Sequence, residues 1–194
     1  MSGRDERAQA TRGALLRAAR ELFAERGYGA VGTEQVVARA GVTRGALYHH
    51  FRDKRDLFRA LHVEMERELM EAIGERMGEA NDPWDLLVTG LRAFLDACTD
   101  PAVIQINLLD APSVLGWAEW REIDERFGLG LITAGLDNAM EAGIVRRREI
   151  RPLAHLLLAS LVEAAMLIAN APDPKAAREE IEQPLLELLE GLRA

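Results

Sequence analysis

The nine residues TRGALYHHF, at positions 43–51, give the strongest indication of the fold. Thr43 is a good N-cap for a short helix over 44–50. Leu47 and Phe51 are four residues apart, so both are predicted to face the interior from one side of that helix. The remaining positions carry arginine, tyrosine and histidine together with Gly45, although a glycine inside a helix costs about 1 kcal/mol relative to alanine. A short core helix does not need this composition, which indicates a surface built for a partner.

A second short helix is predicted immediately before this stretch, over 34–40. Its apolar residues Val36 and Ala40 are predicted to face inward, and Thr33 is predicted to cap its start. Gly41-Val42 supplies the turn between the two helices. This arrangement is a helix-turn-helix, in which the second helix enters the major groove of DNA and its first residues reach base edges.

Several side chains in this region suit contact with double-stranded DNA. Arg44 lies in the first turn, where its fork of donors can bond guanine O6 and N7. Gly45 has no side chain, so the backbone can approach DNA closely. Tyr48 and His49 are placed to reach phosphate oxygens or the neighbouring bases. The predicted DNA-binding residues are Thr33, Thr43, Arg44, Gly45, Tyr48, His49 and Lys54.

The threonines and the lysine of this set are assigned to the phosphate backbone. Thr33 and Thr43 stand at helix N-termini, where hydroxyls, amide N–H groups and the helix dipole favour an anion. Lys54 opens the next helix and adds a point charge. The adjacent His49 and His50 point in different directions on a helix, so they do not form a chelating pair. We therefore expect no metal and no cofactor.

The charge distribution agrees with a polyanionic partner for the N-terminal part of the chain only. The formal net charge of the whole chain is −8, which argues against nucleic acid. Residues 1–62, however, hold 12 Lys and Arg against 7 Asp and Glu, a net of +5, whereas residues 63–194 have a net of −13. A basic N-terminal region followed by an acidic body is typical of a protein that binds a polyanion through one end. By itself, the charge distribution is also compatible with a chance imbalance between the two parts of the chain.

Helical spacing of apolar residues continues along the chain, and alternating strand patterns are absent from the sequence. The predicted class is all-α with about nine helices. Gly27 is predicted to end the first helix in a left-handed conformation, and Asp53 to cap the fourth. Asp82-Pro83 and Asp100-Pro101 each have the form of a helix start, and Pro112 is predicted to break the sixth helix. The remaining predicted helices cover about 117–142, 152–171 and 174–192.

Residues 15–58 resemble the DNA-binding region of the tetracycline-repressor (TetR) family of bacterial regulators. The matching run is AARELFAERGYGAVGTEQVVARAGVTRGALYHHFRDKRDLF. It covers about a quarter of the chain and is specific, because many positions agree at fixed spacing. Gly32 departs from the family pattern, which more often has a hydroxyl or other polar side chain there. The matching positions are Phe23, Gly27, Thr33, Val36, Ala40-Gly41-Val42, Gly45, Leu47-Tyr48, His50-Phe51, Lys54 and Leu57.

The resemblance implies a dimeric repressor that binds a near-palindromic operator. It also implies a larger C-terminal helical domain with a small-molecule pocket, in which ligand binding changes the separation of the two DNA-binding heads and releases DNA. We accordingly expect a helix-turn-helix domain over residues 1–56 and a ligand-binding and dimerisation domain over residues 57–194. The expected partners are operator DNA, an unidentified small-molecule effector and a second copy of the chain.

The last two helices are the predicted dimer interface. Helix 152–171 is apolar nearly all round, so it must be covered on more than one side. Two such helices from each subunit, packed across a two-fold axis, form a four-helix interface. The alternative is that both helices belong to the core of a monomer. The predicted interface residues are Leu158, Val162, Ala165, Leu185, Leu188 and Leu189.

A ligand pocket is expected where aromatic or polar residues interrupt otherwise apolar helices, because apolar walls with a few polar groups are typical of ligand sites. Trp117 and Trp120 either line a cavity or anchor their helix. Glu163 has three possible roles: bonding a ligand, pairing with an arginine of a second chain, or capping a buried donor. The candidates are Phe94, Asn107, Asp110, Trp117, Trp120, Met140, His155, Glu163, Met166 and Asn170.

Other classes of protein fit the sequence less well. No nucleophile elbow, phosphate-cradling glycine loop or HExxH motif is present, so an enzyme is not expected. An architectural DNA binder without a ligand does not need so large a C-terminal part, and an activator cannot be separated from a repressor by sequence. The run RRR at 146–148 suits a solvated loop better than a second DNA contact.

Cellular location is predicted from three features. The N-terminal residues carry no apolar signal-peptide core. The single cysteine, Cys98, fits a reducing compartment and is interpreted as a small apolar filler rather than a redox group. The apolar stretch 152–172 approaches the length of a membrane span, but His155 and Glu163 interrupt it, which favours a helix covered by protein. We therefore expect a cytoplasmic protein.

Overall fold

The computed structural model describes residues 3–194, and over that range it is all-α. The described residues form no β-strand; there is one isolated antiparallel β-bridge, between Val145 and Arg193. The predicted fold class is confirmed. Within residues 3–194, nine α-helices and one π-helical segment follow one another. The helices are α1 Gly3–Ala30, α2 Thr33–Ala40, α3 Arg44–His50, α4 Lys54–Met77, α5 Pro83–Ala97, the π-helical segment Val103–Asp110, α6 Ala111–Leu115, α7 Trp117–Glu141, α8 Ile150–Ala169 and α9 Pro174–Glu190.

The first helix is interrupted at Gly27, where the sequence predicts its end, but the glycine does not adopt the predicted left-handed helical conformation. Gly27 has φ 73° and ψ 160°, a backbone conformation that glycine adopts without a steric penalty. The next residue, Tyr28, donates its backbone N–H to a carboxylate oxygen of Asp110 at 2.7 Å. Asp110 thereby accepts a hydrogen bond from a backbone donor that the interruption of α1 leaves outside the regular helix.

The turn between α2 and α3 forms where the sequence places it, with one difference at its beginning. Gly41 adopts a left-handed conformation, φ 68° and ψ 29°, and closes α2. Thr33 is the first residue of α2 rather than its N-cap, so the predicted cap is wrong. Gly32 is the N-cap, and its backbone N–H donates to Gln35 Oε1 at 2.8 Å. Gln35 thus supplies the half of a capping box that needs no side chain at the N-cap, while Gly32 provides no capping hydroxyl.

The sixth predicted helix differs most from expectation. It forms, but residues Val103–Asp110 are π-helical, and the N–H of Ala111 bonds the carbonyl of Ile106. Pro112 does not break the chain, because it lies in the first turn of α6, where a missing N–H is tolerated. The break comes instead at Gly116, with φ 83° and ψ 150°. π-Helical segments are often found at functional positions.

The chain divides into two compact units. The first contains the described residues up to Met65 together with Pro101–Trp120, and the second contains Glu66–Asp100 and Arg121–Ala194. The first unit therefore continues beyond the predicted end of the DNA-binding domain at residue 56. It does so because α1 packs against the π-helical segment as well as against α2 and α3.

The core of the first unit is aromatic where α1 meets α4. The rings of Phe23, Tyr28 and Phe58 lie with their centroids 5.1–5.6 Å apart in tilted and edge-on arrangements. Leu47 and Phe51 are buried, which confirms their predicted inward orientation. These contacts fix α3 by its apolar side and leave its other side to solvent.

A buried polar pair lies elsewhere in the same unit. His62 of α4 is fully buried, and the side chain of Asn107 of the π-helical segment lies beside it and interacts with it electrostatically. Burial lowers the pKa of His62 to about 4, and the Asn107 contact only partly opposes that shift. The indole N–H of Trp120 donates to the backbone carbonyl of Asn107 at 3.2 Å. His62 is therefore held neutral at physiological pH.

The second unit is built from two groups of apolar side chains. One surrounds Leu87, Met140 and Leu189, and the other surrounds Ile73 and Met77. Its helix starts agree with the sequence where capping signals are present: Asp82 accepts hydrogen bonds from the N–H groups of Trp84 and Asp85, at 2.8 and 2.9 Å. Each such cap stabilises a helix by about 1 kcal/mol.

Candidate nucleic-acid interface and effector cavity

The exposed side of α3 is the candidate nucleic-acid interface. Its residues Arg44, Gly45, Tyr48 and His49 are all exposed, whereas Leu47 between them is fully buried. Thr43 caps the helix, and its hydroxyl accepts a hydrogen bond from the N–H of Ala46 at 3.2 Å. The sequence therefore predicted which residues of this short helix point outward, because Leu47 and Phe51 anchor the opposite side.

Arg44 is held by contacts that cross the helix-turn-helix. Its Nη1 donates to Glu34 Oε1 at 3.0 Å, and its guanidinium carbon lies 5.6 Å from the centre of the Tyr48 ring. Side-chain hydrogen bonds with Thr33, and then with Arg44, lower the pKa of the Tyr48 hydroxyl. Thr33, Arg44 and Tyr48 were predicted as DNA-binding residues, and the structure brings them together. Glu34 was not predicted, since an acidic residue ten positions before Arg44 gives no signal until the turn is folded.

Gly45 is not required by the packing of the protein itself. A Cβ built at this position meets only Thr43 Oγ1, at the ordinary contact distance of 3.9 Å. Its helical backbone is also open to any L-residue, since its φ is not positive. Nothing inside the described chain therefore explains the glycine, which agrees with its predicted role of admitting a close external partner.

Lys54 occupies a position different from the one expected of a phosphate contact. Its Nζ donates to the backbone carbonyls of Tyr28 and Val31, both at 2.8 Å, and lies 3.8 Å from the centre of the Tyr28 ring. Burial lowers its pKa. Three contacts within the first unit hold the ammonium, so we interpret Lys54 primarily as a structural link between α4 and the end of α1.

The turn between α3 and α4 offers a basic side chain that the sequence did not single out. The side chain of Asp53 accepts the N–H of Asp56 at 2.8 Å and so caps α4 as predicted. Asp56 in turn accepts from the backbone N–H of Arg52 at 3.0 Å and pairs with its guanidinium at 3.1 Å. The Arg52 side chain is 84% exposed, so it is available to an anion beside α3.

The predicted pocket residues lie in different parts of the described structure. In the first unit, Asn107 and Trp120 are buried, Asp110 is bonded to Tyr28 N–H, and Trp117 is largely exposed. In the second unit, Met140 is in the core and Phe94 packs against another part of it. Glu163 and Asn170 are exposed and Met166 is half-buried. An apolar helix with scattered polar residues has no period that identifies which of them face a cavity.

His155 is the one predicted pocket residue that lines the cavity between α7 and α8. This cavity has a volume of about 420 Å³ and is partly open to solvent. His155 Nδ1 lies 3.7 Å from Glu125 Oε1, which also accepts from Arg121 Nε at 3.1 Å. Most of its wall is apolar surface, although four of its seven lining residues carry polar or charged groups. Its lining residues are Glu125, Leu129, Thr133, Ile150, Arg151, Ala154 and His155.

A second acidic residue lies beside these groups on α7. Asp124 pairs with Arg121 at 2.9 Å, yet burial raises the pKa of its carboxyl to about 6. Loss of solvation for the carboxylate therefore outweighs the attraction of its own arginine. Arg121 and His155 both contact Glu125, so these three side chains form one polar cluster at the edge of the cavity.

Comparison with known proteins identifies the family. Residues 15–61 match the family model described as bacterial regulatory proteins, tetR family, and residues 84–192 match the model described as tetracyclin repressor-like, C-terminal domain. The second match alone spans more than half of the chain. The chain belongs to the TetR family. It is a DNA-binding transcriptional regulator of the helix-turn-helix class.

Individual relatives agree with this assignment. The Transposon Tn10 TetC protein of Escherichia coli is 26% identical over 152 residues, which are 78% of this chain and 77% of TetC. The HTH-type transcriptional repressor AcnR of Corynebacterium glutamicum is 34% identical over 109 residues, 52% of this chain and 57% of AcnR. A TetR-family transcriptional regulator from Pectobacterium atrosepticum has a similar structure, with TM-score 0.89 and 33% identity over 100% of this chain and 98% of that one.

The helices predicted to pair two copies of this TetR-family chain show a different exposed face from the one expected. Among the predicted interface residues only Leu188 is exposed, at 63%. Leu156 and Leu167 of α8, which were not predicted, are 67% and 54% exposed. The other predicted positions are buried within this chain. These buried positions are Leu158, Val162, Ala165, Leu185 and Leu189.

Helix α8 of this TetR-family chain is also the one described helix with the length and composition of a membrane span, with a mean hydropathy of 1.8. The same composition is found in helices that contribute to a protein core. Ala154, Ala165 and Ile168 are buried within the second unit, so part of the apolar surface of α8 is covered by protein.

Proposed function

We propose that this TetR-family regulator is a repressor that binds a near-palindromic operator as a homodimer and leaves it when a small molecule binds. The observation that carries the proposal is the exposed side of α3, where Arg44, Gly45, Tyr48 and His49 are presented together by a capped helix. Side chains in this arrangement suit entry of α3 into the major groove. The relative AcnR is named as a repressor, which supports the sign of the regulation.

A homodimer is supported by the apolar residues that α8 and α9 leave exposed. Leu156, Leu167 and Leu188 are large side chains whose burial against a second copy would remove apolar area from water. A two-fold dimer places two copies of α3 on two half-sites, which gives a near-palindromic operator. DNA contact is proposed for residues 1–56 and dimerisation for residues 57–194.

The effector is proposed to enter the cavity between α7 and α8. Leu129, Ile150 and Ala154 suit an apolar body, while Arg151 and His155 suit a negatively charged group. The expected class is a small organic acid with an apolar portion. Such a molecule would compete with Glu125 for His155, so its binding would rearrange the polar cluster at the edge of the cavity. The proposed site of action is the cytoplasm.

Selection of DNA from a random duplex library by the purified protein, at physiological salt, tests the proposal. We expect enrichment of one near-palindromic motif with two half-sites in the major groove. Placing that motif across a promoter should lower transcription from it when the regulator is present. Enrichment of no sequence, with only weak and strongly salt-dependent binding, would contradict the proposal and favour an architectural DNA binder.

A further inference from the structure

Glu34 and Arg44 form an ion pair between the two helices of the helix-turn-helix. Glu34 lies in the first turn of α2, and its Oε1 accepts from Arg44 Nη1 at 3.0 Å. Both side chains are well exposed, 73% for Glu34 and 65% for Arg44. The carboxylate therefore stands on the surface that would face DNA, beside the arginine assigned to base recognition.

This contact restricts the directions in which Arg44 can donate. A guanidinium carries five N–H donors in a rigid planar fork. Glu34 accepts from Nη1, and the guanidinium carbon lies over the Tyr48 ring, 5.6 Å from its centre. The donors of Nε and Nη2 stay available, and a pair of parallel guanidinium donors is what guanine O6 and N7 accept.

The charge of Glu34 acts differently on the two kinds of DNA contact. A phosphate competes directly with the carboxylate for Arg44, and any phosphate that approaches is repelled by Glu34. A guanine edge presents neutral acceptors, so Arg44 can bond it while the pair with Glu34 persists. Glu34 therefore weakens the contact of Arg44 with DNA phosphates more than its contact with a base.

We propose that Glu34 is a specificity-determining residue: it orients Arg44 towards a base edge and weakens the binding of Arg44 to phosphate. The inference rests on the proposed function of α3 as the recognition helix. An acidic side chain on this surface repels DNA, so general attraction to DNA does not account for Glu34, whereas a role in specificity does. Loss of the carboxylate would strengthen binding to DNA in general and lower discrimination between sequences.

The test compares Glu34→Gln with Glu21→Gln, because Glu21 forms a similar exposed pair in the same unit. Glu21 accepts from Arg39 at 2.8 Å, and this pair does not include a residue of α3. Each variant removes one negative charge. Dissociation constants are measured by fluorescence anisotropy for two duplexes: the motif selected by the wild-type protein and a scrambled duplex of the same composition.

We expect Glu34→Gln to tighten binding to the scrambled duplex more than to the selected one. The ratio of the two dissociation constants should fall by about two- to fivefold, the range that corresponds to an exposed ion pair. Glu21→Gln should change both constants by the same factor and leave their ratio unaltered. In an Arg44→Ala background, Glu34→Gln should behave like Glu21→Gln, since the residue through which it acts is missing.

Two results would overturn the inference, and they are distinguishable. If the wild-type protein selects a motif but the two glutamine variants show the same ratio, Glu34 contributes only charge. If the wild-type protein selects no motif, the proposed function fails and the inference fails with it. Thermal unfolding of both variants, expected to match wild type within a few degrees, confirms that the comparison is made on folded protein.

Discussion

The ammonium of Lys54 lies 3.8 Å from the centre of the Tyr28 ring and donates to the backbone carbonyl of Tyr28 at 2.8 Å. Lys54 begins α4, and Tyr28 directly follows the interruption of α1 at Gly27. A second carbonyl, that of Val31, lies at the same distance from the ammonium. The lysine therefore joins two helices of the first unit by a cation–π contact and two charge-assisted hydrogen bonds.

Replacement of Lys54 by methionine is expected to destabilise the fold. The variant keeps an unbranched side chain but removes the donor from two carbonyls, so the free energy of unfolding should fall by about 1.5–3 kcal/mol. Urea denaturation followed by circular dichroism measures this change. Lys175→Met is the matched control, since Lys175 is exposed, and it should lie within about 0.5 kcal/mol of wild type. Equal stability of both variants would show that the Lys54 contacts contribute nothing.

Replacement of Gly45 by alanine should separate stability from DNA binding. Because a Cβ at this position has room within the protein, the variant is expected to be more stable by up to about 1 kcal/mol. Its affinity for the selected duplex should nevertheless fall by about tenfold, because the added methyl group meets the DNA. Anisotropy titration and urea denaturation of one preparation measure both quantities.

Gly29→Ala is the control for this substitution. Gly29 is also exposed and helical, and a Cβ there meets nothing within 4 Å. The control should gain similar stability and keep wild-type affinity for DNA. If Gly45→Ala also kept wild-type affinity, the close approach of the α3 backbone to DNA would be refuted.

How much of this surface the sequence predicted depends on whether a local pattern determined the geometry. Thr43, Gly41 and the buried Leu47 fix α3 through capping, a turn and helical spacing, and these three roles were predicted, although the left-handed conformation of Gly41 was not. The contacts of Lys54 with backbone carbonyls were not predicted, because those carbonyls belong to residues 23 and 26 positions earlier. Contacts over that separation follow from tertiary packing and leave no local signal.

The C-terminal part was harder to predict for a related reason. Helix α8 is apolar nearly all round, so its sequence does not show which side a second chain would meet. The choice of Leu158 and Val162 for the interface was made without that information, and both lie in the chain's own core, whereas Leu156 and Leu167 are exposed. Pro112 was likewise predicted to end a helix but lies in the first turn of one, and the local sequence is compatible with both positions.

Stability is expected to depend on the protonation of His62. The pKa of His62 is about 4 in the folded chain, below the ordinary value of 6.5, so the unfolded state binds the proton more readily. The contribution of neutral, buried His62 to the free energy of unfolding is fully present above about pH 6.5 and is lost as the pH falls towards 4. Between about pH 7 and pH 5 it should amount to a loss of about 2 kcal/mol, measured by urea denaturation at each pH.

His62→Gln isolates this contribution, because other groups titrate in the same range. Asp124, whose pKa is raised to about 6, acts in the opposite direction: protonation is favoured in the folded state, so its contribution to stability grows as the pH falls through 6. The difference between wild type and His62→Gln removes that opposing effect. If the difference in unfolding free energy is the same at both pH values, His62 does not titrate as its burial requires.

Association through α8 and α9 is expected to depend on Leu188. Leu188→Glu places a charge on the proposed interface twice in a symmetric dimer, so dimer affinity should fall by at least about a hundredfold. Sedimentation equilibrium should show a shift from dimer to monomer. Trp117→Glu is the control, since Trp117 is equally exposed but lies on α7. A dimer unchanged by Leu188→Glu would exclude this face as the interface.

The most direct test of the central claim, that α3 reads base sequence through Arg44, is the effect of Arg44→Ala on DNA binding. The dissociation constants for the selected and the scrambled duplex are measured for this variant and for Arg39→Ala, which removes the same charge from α2. We predict that Arg44→Ala loses about 1–3 kcal/mol of discrimination between the duplexes. Arg39→Ala should weaken binding to both duplexes equally. Wild-type discrimination by Arg44→Ala would contradict the assignment of α3 as the recognition helix.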